Sequence, residues 1–142
     1  DRGGRVELDS VWIHLARDAR PARIEDFGPY AESAGDRVAS TRLELQAPGD
    51  DAMRTAWPLR ASDLDVLGHV NNAAYWHAVE HRLSEAGIDV RHPFRARLDY
   101  RHPLDLGDSV ELREASGDGK LALAFTVGGQ DRAAALVEQL QS

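Results

Sequence analysis

The chain has 142 residues, is 42% apolar, contains no cysteine and carries a formal net charge of −7. That suits one modest core plus an arm. It excludes structural disulfides, a thiol nucleophile and the basic footprint that bulk nucleic-acid binding needs. The longest apolar stretches, Leu121 to Val127 and Ala133 to Val137, fall far short of the ~20 residues of a membrane span, and no signal-peptide core is present, so a soluble cytoplasmic protein is expected.

In chain order, residues 5 to 16 alternate loosely enough for a strand. Residues 17 to 36 hold Pro21, Pro29, Gly28 and Gly35, which is linker chemistry. A strand is predicted over Arg37 to Leu45, a turn over Ala47 to Asp51, and a further strand over Arg54 to Arg60. From Asn72 the apolar positions Tyr75, Trp76, Val79, Leu83 and Ala86 recur at helical intervals, and Gly87 marks the stop. Phe94 to Arg101 then alternates without error, the pattern of a half-buried strand with one apolar and one charged face. After a turn over Pro103 to Asp108, Ser109 to Glu114 alternates again and Gly117-Asp118-Gly119-Lys120 marks a hairpin. Leu121 to Val127 presents large residues on one face and small ones on the other, so the small face is expected to sit close to something. Gly128 to Asp131 turns the chain into Arg132 to Leu140, read as a strand from its place after a hairpin although its alanines favour helix. One strand, one helix and a run of antiparallel strands predict an α+β domain in which a curved sheet wraps a central helix.

The chemistry gathers at the bend before the helix, Asp63-Leu64-Asp65-Val66-Leu67-Gly68-His69-Val70-Asn71-Asn72. A turn opening a helix leaves amide N–H groups without intrahelical partners, a setting that stabilises a carbonyl oxygen acquiring negative charge. Asp65 beside such donors is what ester or thioester hydrolysis needs, although an aspartate here also serves to cap the turn. Asn71 and Asn72 suit helix capping, and Gly68 suits either close backbone approach by a ligand or a crowded turn.

Asp-x-Asp-x-x-Gly-His-Val-Asn-Asn-x-x-Tyr, with Glu80 on the helix, resembles the motif of hotdog-fold thioesterases, and Trp57 to Tyr75 is particularly similar to the second half of acyl-ACP thioesterases. The resemblance implies a hotdog domain over residues 54 to 142. Residues 1 to 53 then supply the last strand of a preceding repeat and a linker, so the chain is expected to begin partway through a longer product. It implies Asp65 as general base or nucleophile toward an acyl thioester, His69 as donor to the thioester oxygen or sulfur, and Glu80 as a group positioning water or His69, with a solvated helix carboxylate as the alternative for Glu80. Gly68, Val70, Asn71, Asn72, Tyr75 and Trp76 would bind substrate, with the acyl chain along Tyr75, Trp76, Val79 and Phe94. No cofactor or metal is implied. The chain departs from the plant acyl-ACP pattern at Leu67, where that family has Asn, and at Pro103-Leu104, where it has Glu-Cys. That departure keeps open a second reading, a module that binds acyl thioesters or serves a tandem enzyme structurally without turnover.

Two further patterns are weaker. His77-Ala78-Val79-Glu80-His81 matches the helix motif of inverted zinc peptidases, but no later helix is predicted to supply their further acidic ligand. Arg91, Arg95, Arg97 and Arg101, with His92 and His102, form a basic segment in an acidic chain. It is either a solvated strand face or a docking strip for an acidic acyl carrier protein. A lone hotdog leaves its sheet edge open, so pairing with a second copy or with the missing repeat is expected.

Overall fold

A computed structural model describes residues 44 to 140, so the strand and linker expected before residue 37, and most of the strand expected over Arg37 to Leu45, lie outside the described residues. The described part folds as β1 (Met53–Trp57), a 3-10 turn (Ala61–Asp63), α1 (Asn72–Glu85), β2 (Phe94–Tyr100), β3 (Val110–Gly117), β4 (Lys120–Val127) and β5 (Gln130–Gln139). The sheet is antiparallel throughout, in the order β1-β3-β4-β5-β2, and α1 packs on one face. This is the hotdog architecture. Residues 130 to 139 are strand despite three consecutive alanines, because pairing on both sides outweighs helix propensity.

Strand alternation builds the core. Val110 and Leu112, then Leu121, Leu123 and Phe125, then Ala133, Ala135 and Val137, point inward to meet Ala74, Tyr75, Ala78, Val79 and Leu83 of α1. Glu114 continues the inward face of β3 and meets the equally buried Arg82 of α1, whose Nε donates to Glu114 Oε2 and whose Nη1 donates to Glu85 Oε2. The helical pattern marked Leu83 as inward but not its neighbour Arg82. A buried charge is tolerated there because its partner is buried with it.

The turns follow their glycines. Asp118 and Gly119 both have positive φ (50° and 70°), as do Gly128 and Gly129 (57° and 81°), the backbone that two-residue hairpins need to match strand twist. The helix stops where Gly87 enters the left-handed region and Ile88 N–H reaches back to Leu83 O at 3.0 Å.

The strand before the bend is shorter than expected, ending at Trp57 instead of Arg60, since Pro58 cannot donate to the ladder. β2 is also less buried than its alternation suggests: Phe94 to Arg97 are exposed on both faces, and among the described residues β2 is the outermost strand, paired only with β5.

The small face of β4 does sit against something. Asp99 Oδ2 on β2 accepts from Glu44 N–H (2.9 Å) and Leu45 N–H (2.8 Å), and the Arg101 guanidinium donates to Leu45 O. Across the sheet, at the other end of the same register row, Arg113 on β3 donates to Asp50 at 2.6 Å and to Asp131 at 2.6 Å. Asp99, Ala134, Ala124 and Arg113 form one register row on the face opposite α1. Residues 44 to 50 are therefore a strap anchored at both ends of that row, and the two alanines beneath it are 0% exposed. Ala134→Leu should lift the strap and lower stability by about 1 to 3 kcal/mol in urea unfolding, whereas Ala115→Leu, on an exposed β3 position, should change it by less than about 0.5 kcal/mol.

Candidate active site

The bend is a tight reversal. Asp65 N–H donates to His69 O (2.8 Å), Gly68 N–H donates to Asp65 O (3.1 Å), and Leu64 bridges Val70. Gly68 carries φ +83°, and a Cβ built on it would meet nothing within 4 Å. The positive φ is met by glycine without strain, and no protein atom crowds the space a side chain would take.

The two aspartates divide the work. Asp63 Oδ2 accepts from Arg60 N–H at 2.8 Å and closes the 3-10 turn. Asp65 Oδ1 accepts from Leu67 N–H at 2.8 Å and His69 N–H at 3.2 Å, while its Oδ2 has no hydrogen-bond partner among the described residues. One oxygen is a structural anchor and the other is open. The expected nest of bare amides is thereby reduced: Leu67 and His69 give theirs to Asp65, Gly68 to Asp65 O, Val70 to Leu104 O, Asn71 to Asp63 O and Ala73 to Asn71 Oδ1. Among the described residues, only the amides of Val66 and Asn72 in this stretch remain unpaired. The polarising group left at the helix start is Asn72 N–H.

His69 is half exposed, and its Nδ1 lies 2.7 Å from Asp105 Oδ1. Asp105 is a residue that sequence reasoning missed, since it sat inside a stretch read only as a turn. The contact rests on the backbone, for His69 and Asp105 are antiparallel bridge partners and Val70 N–H donates to Leu104 O at 2.8 Å.

The remaining sequence-predicted residues divide sharply. Asn71 is the helix cap, accepting from Ala73 N–H at 2.8 Å. Asn72 contributes its carbonyl to the Tyr100 hydroxyl at 3.1 Å. Val70 and Tyr75 are buried core residues, Trp76 is half buried against that core, and Val79 is closed off as well. The interface of α1 with the sheet is therefore packed where an acyl chain was expected. Aromatic packing fills it: Tyr75 lies 5.8 Å from Trp57, 5.1 Å from Tyr100 and 5.0 Å from Phe125 between ring centroids. Burial pushes the Tyr75 phenol up to about 12, with Tyr100 acting in the same direction, and burial likewise pushes Tyr100 up to about 12. Both phenols therefore keep their protons at neutral pH, and the Tyr100 hydroxyl uses its own on Asn72 O. Exposed apolar side chains near the bend are instead Val66 (101%), Leu67 (73%) and Leu106 (47%).

Glu80 is exposed on α1, ~12 Å of helical rise beyond Asn72. His77 and His81 are exposed too, and no group of three potential metal-binding side chains converges among the described residues. A cleft of about 580 Å³ opens at the opposite end of α1, lined by Gly87, Asp89, His92, Asp118 and Gln139 among others, and no motif residue borders it. The basic segment is thinner than its sequence suggests: Arg91 is clamped on Asp89 at 2.9 Å, Arg101 serves the strap, and Arg97 lies 3.7 Å from Glu138.

Residues 46–138 match the model of the acyl-ACP thioesterase C-terminal domain. The chain belongs to the acyl-ACP thioesterase family. Two uncharacterized proteins from Mycobacterium tuberculosis strains are each 34% identical over 141 residues, 97% of this chain and 56% of theirs. The 12:0-ACP thioesterase from Umbellularia californica superposes with a TM-score of 0.67 at 25% identity, covering 89% of this chain and 52% of that one. A thioesterase-like protein from Prochlorococcus marinus shares the fold, with a TM-score of 0.51 at 17% identity, over 62% of this chain and 79% of that one. The chain thus spans about half the length of the curated relatives it matches. Within this acyl-ACP thioesterase domain Gly68 is the backbone hinge of the bend, so Gly68→Ala should cost about 1 to 2 kcal/mol in urea unfolding through left-handed strain alone.

Proposed function

We propose that the chain is the Asp65-bearing part of a thioesterase that hydrolyses acyl thioesters, carried by acyl carrier protein or coenzyme A, to the free acid and thiol. The observation that carries this reading is Asp65 itself: Oδ1 is held by two loop amides and Oδ2 is left open, within the region that matches the thioesterase family. Water attacks the acyl carbon as Asp65 Oδ2 takes its proton, and the Asn72 amide faces the developing oxyanion. The C–S bond then breaks, the thiolate leaves with its electron pair, and the proton that Asp65 took from water passes through His69 Nε2 to the sulfur. A thiol with a pKa near ~8.5 departs with little acid assistance. Direct attack by Asp65 on the carbonyl, followed by hydrolysis of the anhydride, uses the same oxygen.

The competing reading is a module that binds acyl thioesters without turnover. The closed packing around Tyr75 and Val79 favours it, as do Leu67 and Pro103-Leu104 in place of the polar residues of the plant enzymes. Thiol release separates the two. Asp65→Asn keeps an oxygen for the loop amides, so the fold should persist by circular dichroism while turnover falls by about 10²- to 10⁴-fold. Wild-type turnover in that variant would remove the enzymatic reading.

Pairing with a second hotdog, from another copy or from the rest of a longer chain, is supported by the exposed Phe94 (44%) on β2, which is the outer strand among the described residues. Arg95 and Arg97 alternate with that apolar face and are the residues available to meet an acidic carrier protein. Reversing both to Glu should raise KM for carrier-bound substrate about 10-fold while sparing the same acyl group on a small thiol. An equal loss on both substrates would exclude the docking role.

A further inference from the structure

We propose that Asp105 is a positioning residue that holds the proton of His69 on Nδ1 and so aims a free Nε2 at the reacting thioester. This rests on the hydrolytic reading above and adds a residue that the family comparison does not supply.

Backbone geometry fixes the pair. A surface contact between two flexible side chains is worth little, because ordering them costs about what the contact returns. Here the separation of 2.7 Å is set by the chain itself. His69 and Asp105 face each other as antiparallel bridge partners, and the next rung is Val70 N–H to Leu104 O at 2.8 Å. Val70 and Leu104 are both buried, so that rung is clamped by the core. On the far side, Asp105 N–H donates to Asp108 Oδ2 and Asp108 N–H donates to Asp105 O, each at 2.9 Å. Asp105 thus stands on a closed turn, and its carboxylate needs few degrees of freedom frozen to reach the imidazole.

The consequence is chemical. A carboxylate only accepts, so the nitrogen facing it carries the hydrogen. In neutral His69 that leaves the lone pair on Nε2, and in the protonated ring it leaves Nε2–H as the deliverable proton. Among the described residues the Asp105 carboxylate bonds only the imidazole, so its loss should lower kcat and leave KM unchanged.

Two measurements on the whole chain test this. In nitrogen-15 histidine spectra of the wild type, with His69 assigned by its disappearance in His69→Ala, the neutral ring should carry its proton on Nδ1. That observation needs no Asp105 variant to fold. In thiol-release assays, Asp105→Asn and Asp105→Ala should lower kcat about 10- to 100-fold with KM within about twofold, and neither should add a further loss in the His69→Ala background. A neutral His69 protonated on Nε2, unchanged kcat, or the same loss with and without His69 would overturn the proposal. If the wild type releases no thiol from any acyl substrate, the hydrolytic reading fails, and the tautomer alone decides the role of Asp105.

Discussion

The start of α1 is pinned by one buried ring. Tyr75 sits among Trp57 of β1, Tyr100 of β2 and Phe125 of β4, so three strands and the helix share a single aromatic contact. Such a ring buries on the order of 150 to 250 Å², and its edge-to-face neighbours restrict rotation of the helix about its own axis. Tyr100 adds a hydroxyl bond to the carbonyl of Asn72, the first helical residue. With that end of the helix fixed, Asn71, the reversal over residues 65 to 69 and the carboxylate of Asp65 are fixed as well. Asp65 is therefore oriented by packing on the far side of the polypeptide from the solvent it faces.

The aromatic contact also explains the closed interior. Filling the space between helix and sheet with Tyr75, Val79 and Phe125 stabilises the domain and closes these side chains off from solvent. Around the bend the uncovered apolar side chains are Val66 and Leu67 and, on the facing turn, Leu106. They flank the His69 and Asp105 pair, so the greasy surface and the polar groups remain adjacent even though the interior is full.

Local pattern carried much of this. The helix, its glycine stop, both hairpins and the strands after the helix were legible because each depends on residues close in sequence: a 3.6-residue period, a glycine at positive φ, an alternation of two. Asp65 and Asn71 were legible for the same reason, since the Asx turn and the helix cap are local hydrogen bonds. What escaped was non-local. The Arg82 and Glu114 pair looks like two ordinary surface charges until helix and sheet bring them together across 32 residues. The strap over Ala124 and Ala134 is announced only by small residues, and nothing in the chain says which segment will cover them. The bare-amide nest was overestimated because the same carboxylate that was expected to work beside those amides turned back to bond two of them.

The departure at Pro103-Leu104 has a geometric meaning. Successive residues of an extended segment face opposite sides. Leu104 is directed into the core, with 0% exposure, and pairs through its carbonyl with Val70, so no polar side chain at position 104 could reach His69 without first leaving an apolar interior. Pro103 lacks an amide hydrogen and cannot strengthen the bridge. Asp105, one residue further, is the first position that combines exposure with an antiparallel partner in His69. Replacing Glu-Cys by Pro-Leu therefore does not strip the imidazole of an acidic neighbour. The buried leucine acts as the anchor, and the aspartate after it supplies the carboxylate from the other face of the same segment.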